Sequence, residues 1–366
     1  MKRRSLLKQG MVGGVASAVA IACRPKKPSD SALKEQPVLN WRMTTSWPRY
    51  LIYFVGVEIL CQRVSDMTSG RFTITPYEGE DLVPPLELFD AVADGRVECG
   101  HTALIYFFKK SPALAFATAL PFGLTAQQQN AWFYSGGGIE AIQKVLEPFG
   151  LVWFPAGNST AQMGGWFRKP INTVGDLRGL KLRVTGLGGE ILNRLGAETV
   201  TLAAQDIVPA LLEGSIDAVE WVGPADDRTL GLQKAAPYYY YPGWWEPGTG
   251  ISILINRQQW ERLPPAYQAI FQTAAAEADL AVLALFNASN GEALERFWLG
   301  GTETRPFSQE ILAACRKTAF ELYEEMAAED ETFNSVYRQW QDFRDRLYEW
   351  NRVSSLSYGQ FAFKNV

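Results

Sequence analysis

Three residues stand out for their placement. Arg183 sits in Leu180–Val184, where Leu180, Leu182 and Val184 alternate as the inward positions of a strand. A guanidinium near the end of such a strand offers a planar fork matched to a carboxylate. Glu220 ends the apolar run Ile216–Trp221, ahead of Val222-Gly223-Pro224. A glutamate there is either a ligand or one partner of a structural charge pair. Glu246 closes the run Tyr238–Glu246, whose first eight residues include six aromatics. That run is too apolar for an exposed loop; it is either a packed loop or the aromatic wall of a cleft.

Other chemistries find less support. There is one histidine, His101, which excludes a three-histidine zinc site and leaves nucleophile–histidine arrangements that single residue. His101 reads as a satisfied core histidine. Gly186-Leu187-Gly188-Gly189 is not GxGxxG, because Ile191 stands where the third glycine belongs, and it reads as a closely packed turn. Ser135-Gly136-Gly137-Gly138 lacks the Gly-Lys-Ser/Thr of a phosphate loop. Cys61, Cys99 and Cys315 are far apart, in apolar contexts, and read as buried free thiols. Lys109 and Lys110 read as a solvated face.

These residues must be held by a large, aromatic-rich globular protein. The chain has 366 residues; 13% are aromatic and only 20% charged. Net charge is −4, but residues 1–22 carry four bases and no acid. From Cys23 onward 31 basic residues face 39 acidic ones, which argues against phosphate-backbone binding.

The spacing predicts β-α-β-α-β at the start: a strand over 38–44, a helix over 50–69, a strand over 72–76, a short helix over 86–94 and a strand over 97–102. The pattern restarts with strands over 162–167 and 180–184, a helix over 206–213, and strands over 216–221 and 251–256. From Arg257 on the chain reads as helical, broken at Pro264-Pro265, at 287–291 and at Gly300-Gly301. Within it, 334–350 carries an apolar stripe at Val336, Tyr337, Trp340, Phe343 and Leu347. The fold class is α/β, two lobes with parallel sheets followed by a long helical C-terminal region. Ligands of such folds sit at the carboxyl ends of strands or between the lobes.

Residues 1–22 read as an export signal. A basic start precedes about 12 largely apolar residues, too few for a membrane span of roughly 20. Arg3-Arg4-Ser5-Leu6-Leu7-Lys8 looks like a twin-arginine signal. Ala20-Ile21-Ala22-Cys23 resembles a lipobox, leaving lipidation at Cys23 and plain cleavage as alternatives. Residues 23–36 read as a tether.

The chain resembles the substrate-binding proteins of tripartite ATP-independent periplasmic (TRAP) transporters, and most closely their 2-oxoacid branch. The resemblance rests on 97–102 (VECGHT), 162–168 (QMGGWFR), 179–184 (GLKLRV), 216–224 (IDAVEWVGP) and the Tyr238–Glu246 run, and covers roughly residues 38–350. It implies a two-lobed periplasmic binding protein, with lobe 1 mainly in 37–160, lobe 2 mainly in 161–256, helices over 257–330 completing both, and a C-terminal helix in 331–366. Such a protein is not an enzyme. It captures a small monocarboxylate such as pyruvate with a cation, Na⁺ or alternatively Ca²⁺, and delivers it to membrane permease subunits.

Residue by residue, the resemblance places Arg183 on the ligand carboxylate. Gln162, Glu220 and the Trp221 carbonyl fall on cation ligands, and Tyr106 and Glu246 on pocket positions. The departures are Leu104-Ile105-Tyr106-Phe107-Phe108, where relatives often carry more tyrosines, and Pro247-Gly248, where they tend to carry glycines. The family also implies a homodimer made by exchanging the C-terminal helix; a helix folded back on its own lobe is the alternative. From the residues alone, a periplasmic enzyme using Glu220 and Glu246 as a carboxylate pair on a sugar competes with this reading.

Overall fold

The computed structural model describes residues 35–365; the expected export signal, the Cys23 lipobox and most of the tether lie outside them. From Pro37 on, the alternating segments settle into two mixed sheets. The first has the order β2-β1-β3-β10-β4, from β1 (Leu39–Thr45), β2 (Phe72–Tyr77), β3 (Cys99–Thr102), β4 (Leu151–Asn158) and β10 (Gly250–Asn256). The second has the order β11-β9-β5-β8-β6-β7, from β5 (Trp166–Phe167), β6 (Lys181–Arg183), β7 (Glu198–Val200), β8 (Ala218–Val219), β9 (Tyr238–Tyr241) and β11 (Glu303–Pro306).

The expected β-α-β-α-β start is present, and β1 runs parallel to β2 and to β3. The sheets are not parallel throughout. β10 is antiparallel to β3 and β4, and β5 is antiparallel to β8 and β9. β10 is the strand by which the chain returns from the second sheet to the first, so it enters reversed.

Several boundaries differ from the sequence pattern. Of 162–167 only Trp166–Phe167 is strand, and of 216–221 only Ala218–Val219. The rest is loop that carries site residues. The tetra-tyrosine run is not a loop but β9, with Tyr239 and Tyr240 buried and Trp166 stacked on Tyr239 at 4.1 Å between ring centroids. Two helices, Ala126–Ser135 and Gly138–Leu146, lie in a stretch for which no element was expected.

The predicted break at 287–291 is absent. One helix runs unbroken over Pro265–Leu299, with Phe286, Ala293 and Phe297 buried on either side of the expected break. It packs on both halves: Tyr53 of the Ile52–Met67 helix lies 5.1 Å from Phe286, and Ala225 N donates to Asn290 Oδ1 at 3.1 Å beside the second sheet. The breaks at Pro264-Pro265 and Gly300-Gly301 are present. Helices Gln309–Glu329 and Glu331–Asn351 follow, and the second buries Phe333, Val336, Tyr337 and Trp340 against Phe116 and its neighbours. Cys61, Cys99 and Cys315 are free and buried, as expected.

Candidate functional site

All six residues singled out from the sequence line one cavity. It lies where β1 and β3 of the first sheet and β6 and β8 of the second end, and where the reversed β10 begins. Arg183, Tyr106, Gln162, Glu220, Trp221 and Glu246 share its wall with Trp47, Tyr53, Ile105, Thr185 and Thr249. The cavity is small: the centre of a water molecule can occupy only about 20 Å³ of it.

Its centre is set by strand pairing. Arg183 is the last residue of β6 and is paired in register with Val219, so Glu220 follows directly beside it. Glu220 N donates to Arg183 O at 2.9 Å. Arg183 Nη1 donates to Glu220 O at 2.6 Å and to Glu220 Oε2 at 3.2 Å, and Nε and Nη2 donate to Leu202 O at 3.3 Å. The guanidinium also lies over the Trp221 ring at 4.9 Å. Both charged side chains are about 2% exposed.

Gln162 and Glu246 come from two loops tied together. Gln162 N donates to Glu246 O at 3.1 Å, and Gly243 N to Gln162 O at 3.0 Å. Gln162 Nε2 donates to Ser159 Oγ at 3.1 Å, and Thr249 Oγ1 donates to Glu246 Oε2 at 2.6 Å. Tyr106 sits in the 3₁₀ turn Leu104–Phe107 just after β3, with Trp47 packed against its ring.

The electrostatics are those of an acid-rich pocket short of positive charge. Burial holds the Glu220 carboxyl well above the usual range; nearby Glu246 pushes the same way, and Arg183 pulls against both. Burial also raises Glu246, against its bond from Thr249 and the charge of Arg183. The Tyr106 phenol is pushed up to about 12 by burial. Two buried acceptor oxygens of the residues lining the cavity have no partner: Gln162 Oε1 and Glu220 Oε1. An unpaired buried carbonyl and carboxylate oxygen cost free energy until something positive meets them. All-oxygen donors of this kind suit a hard cation such as Na⁺ or Ca²⁺ rather than a soft one. No group of three His, Cys, Asp or Glu side chains placed to hold a metal occurs among the described residues, so any cation here would rely on the Glu220 carboxylate together with amide, carbonyl and ligand oxygens.

Three expectations from the sequence are refined. His101 is outside the cavity and satisfied: Trp47 Nε1 donates to its Nδ1 at 3.0 Å, and its Nε2 meets Ala156 O at 3.1 Å. Of the Tyr238–Glu246 run only Glu246 reaches the cavity; the tyrosines and Trp244-Trp245 pack elsewhere. The Gly186 turn is closely packed, because a Cβ on Gly186, at φ +55°, would overlap Ile105. Thr185 and Ile105 adjoin residues already singled out, so proximity in sequence would have found them. Trp47 and Tyr53 carry no such signal, being far along the chain from every motif.

Residues 43–330 match the DctP family model, described as bacterial extracellular solute-binding protein, family 7. A monocarboxylate 2-oxoacid-binding periplasmic protein of Nostoc sp. is 52% identical over 362 residues, covering 99% of each chain. A TRAP transporter solute-binding protein from Bordetella bronchiseptica, a dimer with calcium and picolinate in one site, superposes with a TM-score of 0.88 at 40% identity, over 89% of this chain and 98% of that one. One from Pseudoalteromonas atlantica with bound sodium and pyruvate gives 0.86 at 35%, over 89% and 99%.

Proposed function

This chain belongs to the DctP family of TRAP transporter solute-binding proteins, and we propose that it captures a small 2-oxoacid together with a cation and delivers it to a membrane permease. One observation carries this: a buried arginine, Gln162 and Glu220 line one small cavity, and Gln162 Oε1 and Glu220 Oε1 are buried without a partner. A 2-oxoacid supplies a carboxylate for Arg183 and, with its keto oxygen, a chelating pair for a cation. The cation meets Gln162, Glu220 and the Trp221 carbonyl from the other side. Tyr106 and Glu246 complete the wall. The protein acts as a receptor, not a catalyst.

Charge balance bears on the cation. Arg183 and a monovalent ion offset Glu220 and one ligand carboxylate. A divalent ion balances only if Glu246 is also ionised, and burial disfavours ionising two neighbouring carboxyls more than one. Na⁺ is therefore the first choice and Ca²⁺ the alternative.

The chain works outside the cytoplasmic membrane, exported by residues 1–22 through the twin-arginine signal, with Cys23 as the lipid anchor. It pairs with a second copy through 331–366. In the described chain the Glu331–Asn351 helix folds back on its own lobe, while Trp350 in its last turn and Val353, Leu356, Tyr358, Phe361 and Phe363 beyond it stay exposed. Light scattering of full-length protein and of a chain ending at 351 tests this; two monomers would refute it.

The test of function is a thermal-shift titration with pyruvate and larger 2-oxoacids, with and without Na⁺ or Ca²⁺. A ligand at a hundred times its Kd adds about 2.7 kcal/mol of stability. A cation-dependent shift supports the reading; no shift with any monocarboxylate removes the ligand assignment.

A further inference from the structure

The Ile52–Met67 helix begins without a cap of its own. Leu51 holds the N-cap position in extended geometry (φ −87°, ψ 148°), and its side chain has no acceptor to offer. The first N–H groups of a helix have no partner within it and need one. The partner here comes from 174 residues away: Asp226 Oδ1 accepts from Ile52 N at 3.0 Å. Asp226 lies in the Pro224–Leu230 helix that follows β8, so this cap reaches from a segment of the second sheet to a helix of the first.

Asp226 is 1% exposed, and its other oxygen, Oδ2, is buried without a partner. Its neighbour Asp227 is occupied differently, accepting from Trp166 Nε1 at 2.8 Å and Tyr239 Oη at 2.7 Å within its own half. The residue after the capped Ile52 is Tyr53, which lines the cavity. Asp226 itself does not.

We propose that Asp226 is a positioning residue for ligand capture: by capping the Ile52–Met67 helix from the opposite half of the molecule, it holds Tyr53 in the cavity wall. The proposal rests on the reading of that cavity as the ligand site. It makes affinity depend on a bond that touches no ligand and that joins the two halves at this point. A neutral acceptor suffices for the bond, so Asp226→Asn should keep it and Asp226→Ala should not.

The experiment compares wild type, D226A and D226N in two measurements. One is hydrogen exchange of the peptide spanning 51–57 in ligand-free protein; the other is pyruvate affinity at saturating Na⁺, repeated at saturating Ca²⁺. In D226A the first turn should exchange faster, and affinity should fall about tenfold, within the roughly 2- to 30-fold range of lost helix caps. D226N should stay within about twofold of wild type in both. Wild-type exchange in D226A, or equal losses in D226A and D226N, would overturn the proposal. Should wild type fail to bind pyruvate, the ligand reading falls, while the exchange measurement still decides whether Asp226 holds this turn.

Discussion

Arg183 and Glu220 are neighbours across the β6–β8 pairing, and Arg183 Nη1 donates to both the backbone and the side-chain oxygen of Glu220. The arginine is thus oriented before any ligand arrives, while Glu220 keeps one oxygen, Oε1, without a partner. A guanidinium fixed this way pays little ordering entropy on meeting a carboxylate.

Removing that guanidinium should be the most damaging single change to binding. Arg183→Ala leaves Glu220 buried without its counter-charge and should weaken 2-oxoacid binding by roughly 2–5 kcal/mol. Arg183→Lys keeps the charge but loses the fork, and should recover only part. Isothermal titration of the three proteins checks this; normal pyruvate binding by R183A would refute the role of Arg183.

Cation affinity should depend on pH through Glu220. Burial raises its pKa, and the cation needs the ionised form. Affinity should therefore fall on acidification, with protons released as the cation binds. Sodium and calcium titrations from pH 5 to 8 in buffers of differing ionisation enthalpy measure both effects. Glu220→Gln should weaken the cation and flatten the dependence.

Ser159 should matter through Gln162. Its hydroxyl accepts the Gln162 amide N–H and so orients the side chain whose Oε1 is left without a partner. Ser159→Ala should raise the cation concentration needed for half-maximal pyruvate binding by about 3- to 10-fold, as for a lost hydrogen bond of about 1 kcal/mol. Ser159→Thr retains the hydroxyl and should bind like wild type. A cation midpoint unchanged in S159A would exclude this positioning role.

Ligand-free stability should fall as pH rises from about 4 to 7. Burial lifts Asp226 from 3.8 to about 7, and Asp227 and Asp279 to about 6. The folded state then holds protons that the unfolded chain has released, so folding loses stability across that window. His101 works the other way, since burial lowers it from 6.5 to about 4 and the unfolded chain binds the proton. Three acids against one histidine give a net fall. Calorimetric midpoints should be higher at pH 5 than at pH 7.5; the reverse order would show that these carboxyls are ionised in the folded protein.

Gly186 should tolerate no side chain. Gly186→Ala adds a Cβ at φ +55° that overlaps Ile105 of the cavity wall, so the wall must shift. Affinity should fall at least tenfold. Ile105→Ala in the same chain should return part of it, leaving the backbone strain. No recovery in the double mutant would mean that the strain alone, not the contact across the cavity, is responsible.

By itself the sequence determined what short-range pattern can encode. Alternation located β1, β2, β6 and β10, glycine and proline marked most element ends, and the placement of Arg183, Glu220 and Glu246 at the ends of apolar runs named three members of the cavity. Resemblance added Tyr106, Gln162 and Trp221, and the fold brings all six together. Tertiary structure decided the rest. Gly291 and Asn287 read as a helix break, yet Phe286, Ala293 and Phe297 are buried around them and packing outweighs local propensity. The tyrosine run reads as a loop wall, yet it is β9, because β11 and β5 on either side supply its hydrogen bonds. Trp47, Tyr53 and Asp226 were silent in the sequence for one reason. Each acts through a partner distant along the chain or through a cavity wall that only folding assembles, and no local pattern records such contacts.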